Sequence, residues 1–143
     1  MILNTRHIGI VVSNLNKSLD FYLALGFSIN SRQIECGPVV SQIVGIDEVE
    51  VETVKLATDT GVSVELLKYH SHPKEGPVKQ DSNELGCSHI ALTVSDIDMF
   101  LECVIQKGGS IVNNPVLTEN EEYRVAYCHD PEGVLLEVVE QNL

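Results

Sequence analysis

The chain of 143 residues has no tryptophan, three phenylalanines and four tyrosines. A protein that sequesters small molecules between aromatic walls needs more rings than that, so simple aromatic trapping is disfavoured. Positive charge is also scarce: nine Lys and Arg stand against 21 Asp and Glu, a formal net charge of −12. Nucleic acids and anionic membrane surfaces both require clustered cations, and neither is an expected partner. No apolar run approaches the roughly 20 residues of a membrane span. The opening MILNTRHIGIVV has no basic region followed by a signal-like apolar stretch. Cys36, Cys87, Cys103 and Cys128 form no CxxC and no close pair. They read as reduced, mostly buried thiols, and the expected location is the cytoplasm.

What the chain does contain is a repeat. Residues 7–29 (HIGIVVSNLNKSLDFYLALGFSI) and 89–111 (HIALTVSDIDMFLECVIQKGGSI) align without a gap at an offset of 82 and share eight of 23 positions. Unrelated segments of ordinary composition share roughly one or two. A second echo matches TGVSVELL at 60–67 with EGVLLEVV at 132–139, at an offset of 72. The first copy therefore carries ten extra residues between Ile29 and Gly61. A period of this length is too long for a solenoid unit and points to two duplicated modules completing one domain, 1–143. That length suffices for a core without disulfides.

Each copy reads as βαβββ, an α+β fold of two tandem modules at about 5–69 and 88–141, with a Pro/Gly/polar linker at 70–87. Residues 6–13 and 88–95 are β-branched runs that open the modules. Asp96 is a helix cap, and Ile97, Phe100, Leu101, Val104 and Ile105 form one helical stripe that ends at Lys107-Gly108-Gly109. The first helix spans about 15–25, with Leu15, Leu19, Tyr22 and Leu23 on its stripe, Gly26 as its stop, and Ser13, Asn14 or Asn16 as its cap. A strand follows each helix, at 27–31 and 110–112. Hairpins close the modules: 51–57 with 62–69, and 123–129 with 134–140 around the turn Asp130-Pro131-Glu132-Gly133. The stretch from Cys36 to Glu50 reads as irregular, with Gly37-Pro38 as a turn.

Strand alternation selects the candidate chemistry. Ile8, Ile10 and Val12 belong under the first helix, which turns His7 to the opposite face; Ile90, Leu92 and Val94 do the same for His89. Glu65 and Glu137 stand in otherwise apolar strands on the face away from the helices. A carboxylate there is expensive unless it is paired or bound to metal. The pattern occurs twice at matched places. Two modules that each contribute one His and one Glu can supply an N2O2 set, His7, Glu65, His89 and Glu137, for a divalent metal.

These residues carry a family resemblance. HIGIVV with Leu25-Gly26-Phe27, HIALTVSDID with Gly108-Gly109, and DPEGVLLEVVE resemble the vicinal oxygen chelate superfamily of glyoxalase I, methylmalonyl-CoA epimerase, extradiol dioxygenases and fosfomycin or bleomycin resistance proteins. The resemblance covers essentially the whole chain. It implies curled mixed sheets enclosing a metal cleft, often in a homodimer, with a small-molecule substrate. By position His7, Glu65, His89 and Glu137 match the four ligands of the isomerase and lyase branch, most directly glyoxalase I. Extradiol dioxygenases have no carboxylate where Glu65 stands, which makes ring cleavage a poorer match. The implied activity is proton abstraction next to a carbonyl through a metal-stabilised enediolate, with Glu137 and Glu65 as proton shuttles. Return of the proton to the neighbouring carbon is glyoxalase chemistry; return to the same carbon is epimerase chemistry of the methylmalonyl-CoA type. A binding or resistance protein without turnover is the alternative from another class. The donor set accommodates Zn, Ni, Co, Mn or Fe.

Other residues carry weaker signals. Arg124 and Tyr69 are candidates for substrate contact, although an ion pair with one of the many carboxylates is the default for Arg124. His70 and His72 precede Pro73 and read as a solvated loop, and His129, beside the Asp130 turn, reads as exposed.

Overall fold

In the computed structural model, residues 1–74 and 79–141 are described, and the chain divides into two units, Met1–Gly76 and Pro77–Leu143. The division falls within the expected linker, of which 75–78 lie outside the described residues, as do the last two residues of the chain.

The first unit runs β1 (Ile8–Val11), α1 (Leu15–Ala24), β2 (Ser28–Cys36), α2 (Pro38–Val44), β3 (Glu50–Ala57) and β4 (Ser63–Tyr69). Its sheet has the order β1-β4-β3-β2, with β1 parallel to β4 and the other pairs antiparallel. The second unit runs β5 (His89–Val94), α3 (Ile97–Gln106), β6 (Ser110–Ile111), β7 (Val116–Leu117), β8 (Tyr123–His129) and β9 (Leu135–Gln141). Its order is β5-β9-β8-β6, again with the first pair parallel, and the short β7 pairs with β8. Two mixed sheets with few helices bear out the α+β class and the duplicated βαβββ plan. Among the described residues no helix is long and apolar enough to cross a membrane.

The helices form where stripe and cap coincide. Asn14 caps α1, its side chain accepting from the Lys17 amide at 3.1 Å, and Asp96 caps α3 by accepting from Met99 at 2.9 Å. Helix α1 packs on β4, and α3 on β8 and β9. The covered faces are the expected ones in the middle of each sheet: Ile10, Val12, Val64 and Leu66 are buried in the first unit, and Ile90, Leu136 and Val138 in the second, whereas Ile8, expected under the first helix, is exposed. Three of the seven aromatics are used here. Phe21, Tyr22 and Phe27 stack edge to face at 5.2 and 5.6 Å in the first core.

Three local readings are corrected. The stretch after Cys36 is not irregular: β2 extends to Cys36, and a helix starts at Pro38, whose missing N–H suits a first helical position. Gly37 makes that entry at φ 96°, a conformation open to glycine. Leu23 is exposed and Phe21 takes its place in the core, while in α3 Ile105 is half exposed. Both buried stripes are narrower than the periodicity suggests, since Leu15, Ser18, Leu19, Phe21 and Tyr22 are the buried residues of α1 and Ile97, Leu101 and Val104 those of α3.

Candidate functional site

Each unit builds one half of the anticipated donor set by the same rule of register. Glu65 on β4 lies opposite Gly9 on β1, and Glu137 on β9 lies opposite Ala91 on β5. The histidine stands two residues earlier, His89 at the start of β5 and His7 immediately before β1, on the face of the carboxylate. A small residue opposite each carboxylate leaves room for the imidazole to lean over. The outcome is duplicated: His7 Nε2 is 2.9 Å from Glu65 Oε2, and His89 Nε2 is 2.9 Å from Glu137 Oε2. The glutamates are the covered members of each pair, their side chains 10% and 24% exposed, and the histidines are the accessible ones.

The two halves differ in their third member. Lys55 faces Glu65 across β3 and β4, its Nζ 3.7 Å from Glu65 Oε1. The matching cross-strand partner of Glu137 is Tyr127 on β8, whose hydroxyl hydrogen-bonds the carboxylate. The Tyr127 ring also meets His89 edge to face, with centroids 5.5 Å apart. Burial, then the hydrogen bond and the charge of Glu137, push the Tyr127 phenol above its ordinary value, so it stays a donor. Glu65 is thus balanced by an ammonium, and Glu137 by a neutral phenol. Lys55 and Tyr127 went unnoticed in the sequence, although each precedes its glutamate by ten residues, in step with the 72-residue offset.

The donors suit a divalent ion. In each pair the Nε2 proton occupies the place between imidazole and carboxylate that a cation could take. An imidazole nitrogen and a carboxylate oxygen are both ligands that a divalent ion takes, and they stand side by side, 2.9 Å apart, in both pairs. Among the described residues of either unit, no group of three or more His, Cys, Asp or Glu side chains gathers as a ligand set. One unit alone therefore offers two protein ligands, fewer than the three or four of typical zinc sites.

The other candidates fall elsewhere. Arg124 lies on the helix side of its sheet, opposite to Glu137, and is held by Asp98 and Glu140 at 2.9 Å each. Tyr69 shares the face of Glu65 at the end of β4 and pairs in register with Val51. His70 is engaged rather than merely solvated: its Nε2 is 3.0 Å from Glu52, which also binds Arg32 at 2.6 Å. Those two bonds, Arg32 foremost, hold the Glu52 carboxyl below its usual range. His129 is buried rather than exposed, with Nε2 3.3 Å from the carbonyl oxygen of Gln80. The chain segment that covers it is remote in sequence, so a strand-end position gave no hint of burial. No disulfide joins the four cysteines. Burial pushes the Cys128 thiol up to about 12, aided by Asp130.

Comparison with known proteins bears on the fold. The model of the Glyoxalase/Bleomycin resistance protein/Dioxygenase superfamily matches residues 5–138. A glyoxalase family protein from Bacillus cereus is similar at a TM-score of 0.91 and 26% identity, covering 99% of this chain and 95% of that one. The fosfomycin resistance protein FosX from Listeria monocytogenes is similar at 0.67 and 16%, covering 100% and 94%. It was solved as a glutamate-to-glutamine mutant complexed with Mn(II) and 1S,2S-dihydroxypropylphosphonic acid. A glyoxalase I mutant from Zea mays gives 0.69 and 18%, covering 95% of this chain and 44% of that one. At those identities the last two indicate a shared fold alone. No curated protein matches in sequence.

Proposed function

From the premise that this chain belongs to the Glyoxalase/Bleomycin resistance protein/Dioxygenase superfamily, we propose that it is a divalent-metal-dependent enzyme that moves a proton next to a substrate carbonyl. His7, Glu65, His89 and Glu137 would hold the ion. The observation that carries the reading is one His–Glu contact of 2.9 Å, built at equivalent strand positions in both units. Chance solvation does not repeat a covered carboxylate and its imidazole partner at the same register.

A bound divalent ion supplies Lewis acidity that eases the build-up of charge on a carbonyl oxygen. The chain supplies the rest. Glu137 accepts the proton from the carbon beside the carbonyl, and Tyr127, donating to that carboxylate, keeps it oriented. Glu65 is the second carboxylate of suitable placement, with the Lys55 ammonium rather than a phenol hydroxyl beside it. Delivery of the proton to the neighbouring carbon gives an isomerase or lyase of glyoxalase I type. Delivery back to the same carbon gives an epimerase.

Metal content of the purified protein, wild type against Glu137→Gln and His89→Ala, is the primary test. The wild type should carry one divalent ion and the variants should lose most of it; equal content in all three would sink the ligand assignment. Exchange of the substrate α-proton with solvent deuterium, followed by NMR across a panel of α-hydroxythioesters and acyl-CoAs, tests the chemistry separately. Absence of exchange from the metal-replete protein across that panel would exclude it for those substrates.

A further inference from the structure

Within the second unit a cavity of about 430 Å³ opens on the sheet face that carries His89 and Glu137. Tyr127 and Leu135 belong to its lining. Both also adjoin the half-site: Tyr127 hydrogen-bonds Glu137, and Leu135 is the register partner of His89. The cavity therefore begins one side chain away from the proposed base. Its volume falls in the range of sites for small organic ligands, about 300–1,000 Å³.

The chemistry of the lining is one-sided. The segment 80–83 contributes Asp81, Ser82 and Asn83, and the sheet side contributes Asn113 and His129. Asp81 is the one acid or base in the lining besides His129 and Tyr127, and no Lys or Arg takes part. The nearby Lys79 is directed to Ser110, with Nζ 2.8 Å from its hydroxyl. Asn113 is structural, its Oδ1 accepting from the Tyr127 amide at 2.8 Å, and His129 is tied to the Gln80 carbonyl. What remains to meet a ligand is a carboxylate, an amide and a hydroxyl. The amide and hydroxyl can accept or donate, but the Asp81 carboxylate only accepts hydrogen bonds and repels anions, the more so in a chain of net charge −12.

We propose that this cavity seats the tail of the substrate, and that it selects a hydrogen-bond-donating, non-anionic tail (hydroxyl, amide or ammonium) over a carboxylate or phosphate. The inference rests on the proton-transfer reading, because it is Tyr127 and Leu135 that bring the tail alongside Glu137 and His89. It narrows that reading: thioesters whose carriers place carboxylates or phosphates in this cavity are poor ligands.

The test uses the full-length metal-replete protein and two lactoyl thioesters, one of N-acetylcysteamine with a neutral amide tail and one of 3-mercaptopropionate with a carboxylate tail. Calorimetry should give a preference of about tenfold for the amide tail, the combined effect of one hydrogen bond and one like-charge contact. Asp81→Lys should erase or invert that preference, while Asn83→Leu should weaken amide-tail binding without creating affinity for the carboxylate. Equal binding of both probes by the wild type, no binding of either, or an unchanged preference in Asp81→Lys overturns the proposal. Proton exchange measured on the same samples separates the two readings. A tail preference without exchange leaves the pocket standing and removes the chemistry; exchange with both tails alike keeps the chemistry and removes the pocket.

Discussion

Replacing Lys55 by Met and Tyr127 by Phe should move metal affinity in opposite directions, although the two residues hold the same position in the two units. The Lys55 ammonium lies 3.7 Å from Glu65 Oε1, and its side chain is 34% exposed. At that spacing unit charges interact by about 1 kcal/mol in the dielectric of water and by about 4 kcal/mol at an effective constant of 20. Exposure places Lys55 near the lower figure, and a dication beside Glu65 would be repelled on the same scale. Lys55→Met should therefore tighten metal binding by roughly threefold to tenfold. Tyr127 acts with the other sign, since its hydroxyl orients Glu137 without adding charge. Loss of such a supporting partner weakens metal binding by about 10–100-fold. Tyr127→Phe retains the ring against His89, so the fold should survive. The lost bond to a carboxylate that is 24% exposed should lower stability by about 1–1.5 kcal/mol. Competition with a chromophoric chelator, at low and high salt, measures both variants. The Lys55→Met gain should shrink as salt screens the charge, whereas the Tyr127→Phe loss should persist. Changes of the same sign in both variants, or an unaltered affinity in Tyr127→Phe, would refute the argument that these residues make the two half-sites inequivalent.

Further outcomes follow from other contacts. Glu52 has a lowered carboxyl pKa through Arg32 and His70, so its contribution to stability is present above the ordinary glutamate value and is lost as pH falls through the lowered one. The stability difference between wild type and Glu52→Gln in urea titrations should accordingly be constant near neutrality and close at acid pH; a pH-independent difference would contradict it. Cys36 is exposed and Cys128 is buried with its thiol pushed up to about 12. Native labelling with iodoacetamide, read by mass spectrometry, should modify Cys36 first and Cys128 only on unfolding. A Cβ at Gly109 would stand 2.5 Å from the His129 carbonyl oxygen and 2.7 Å from Val104 Cγ1. Gly109→Ala should thus cost about 1–3 kcal/mol, seen as a lowered melting temperature, and a neutral result would mean that α3 and β8 can move apart.

Much of the candidate site was legible because its rules are local. A strand turns alternate residues to opposite faces, so the apolar set Ile10 and Val12 fixes where His7 points, and the same holds for Ile90 and His89. Glutamates at 65 and 137 stand out because ionised groups rarely occupy apolar strands without partners. The α2 segment was missed because seven residues with no amphipathic pattern carry little periodic signal, even with Pro38 at the start. The ion pairing expected as the default for Arg124 holds, but its partners come from two places: Glu140 on the neighbouring strand β9, and Asp98 on a helix 26 residues away in the chain.

The duplication, the buried face of each sheet, and the side on which His7, Glu65, His89 and Glu137 stand follow from the order of side chains, into which periods of 2 and 3.6 residues are written. The chain had to fold before Lys55 could be placed against Glu65 and Tyr127 against Glu137, and before the segment 80–83 could be seen to line a cavity with His129. Those neighbours come from register and packing between segments distant along the chain, which no local period encodes.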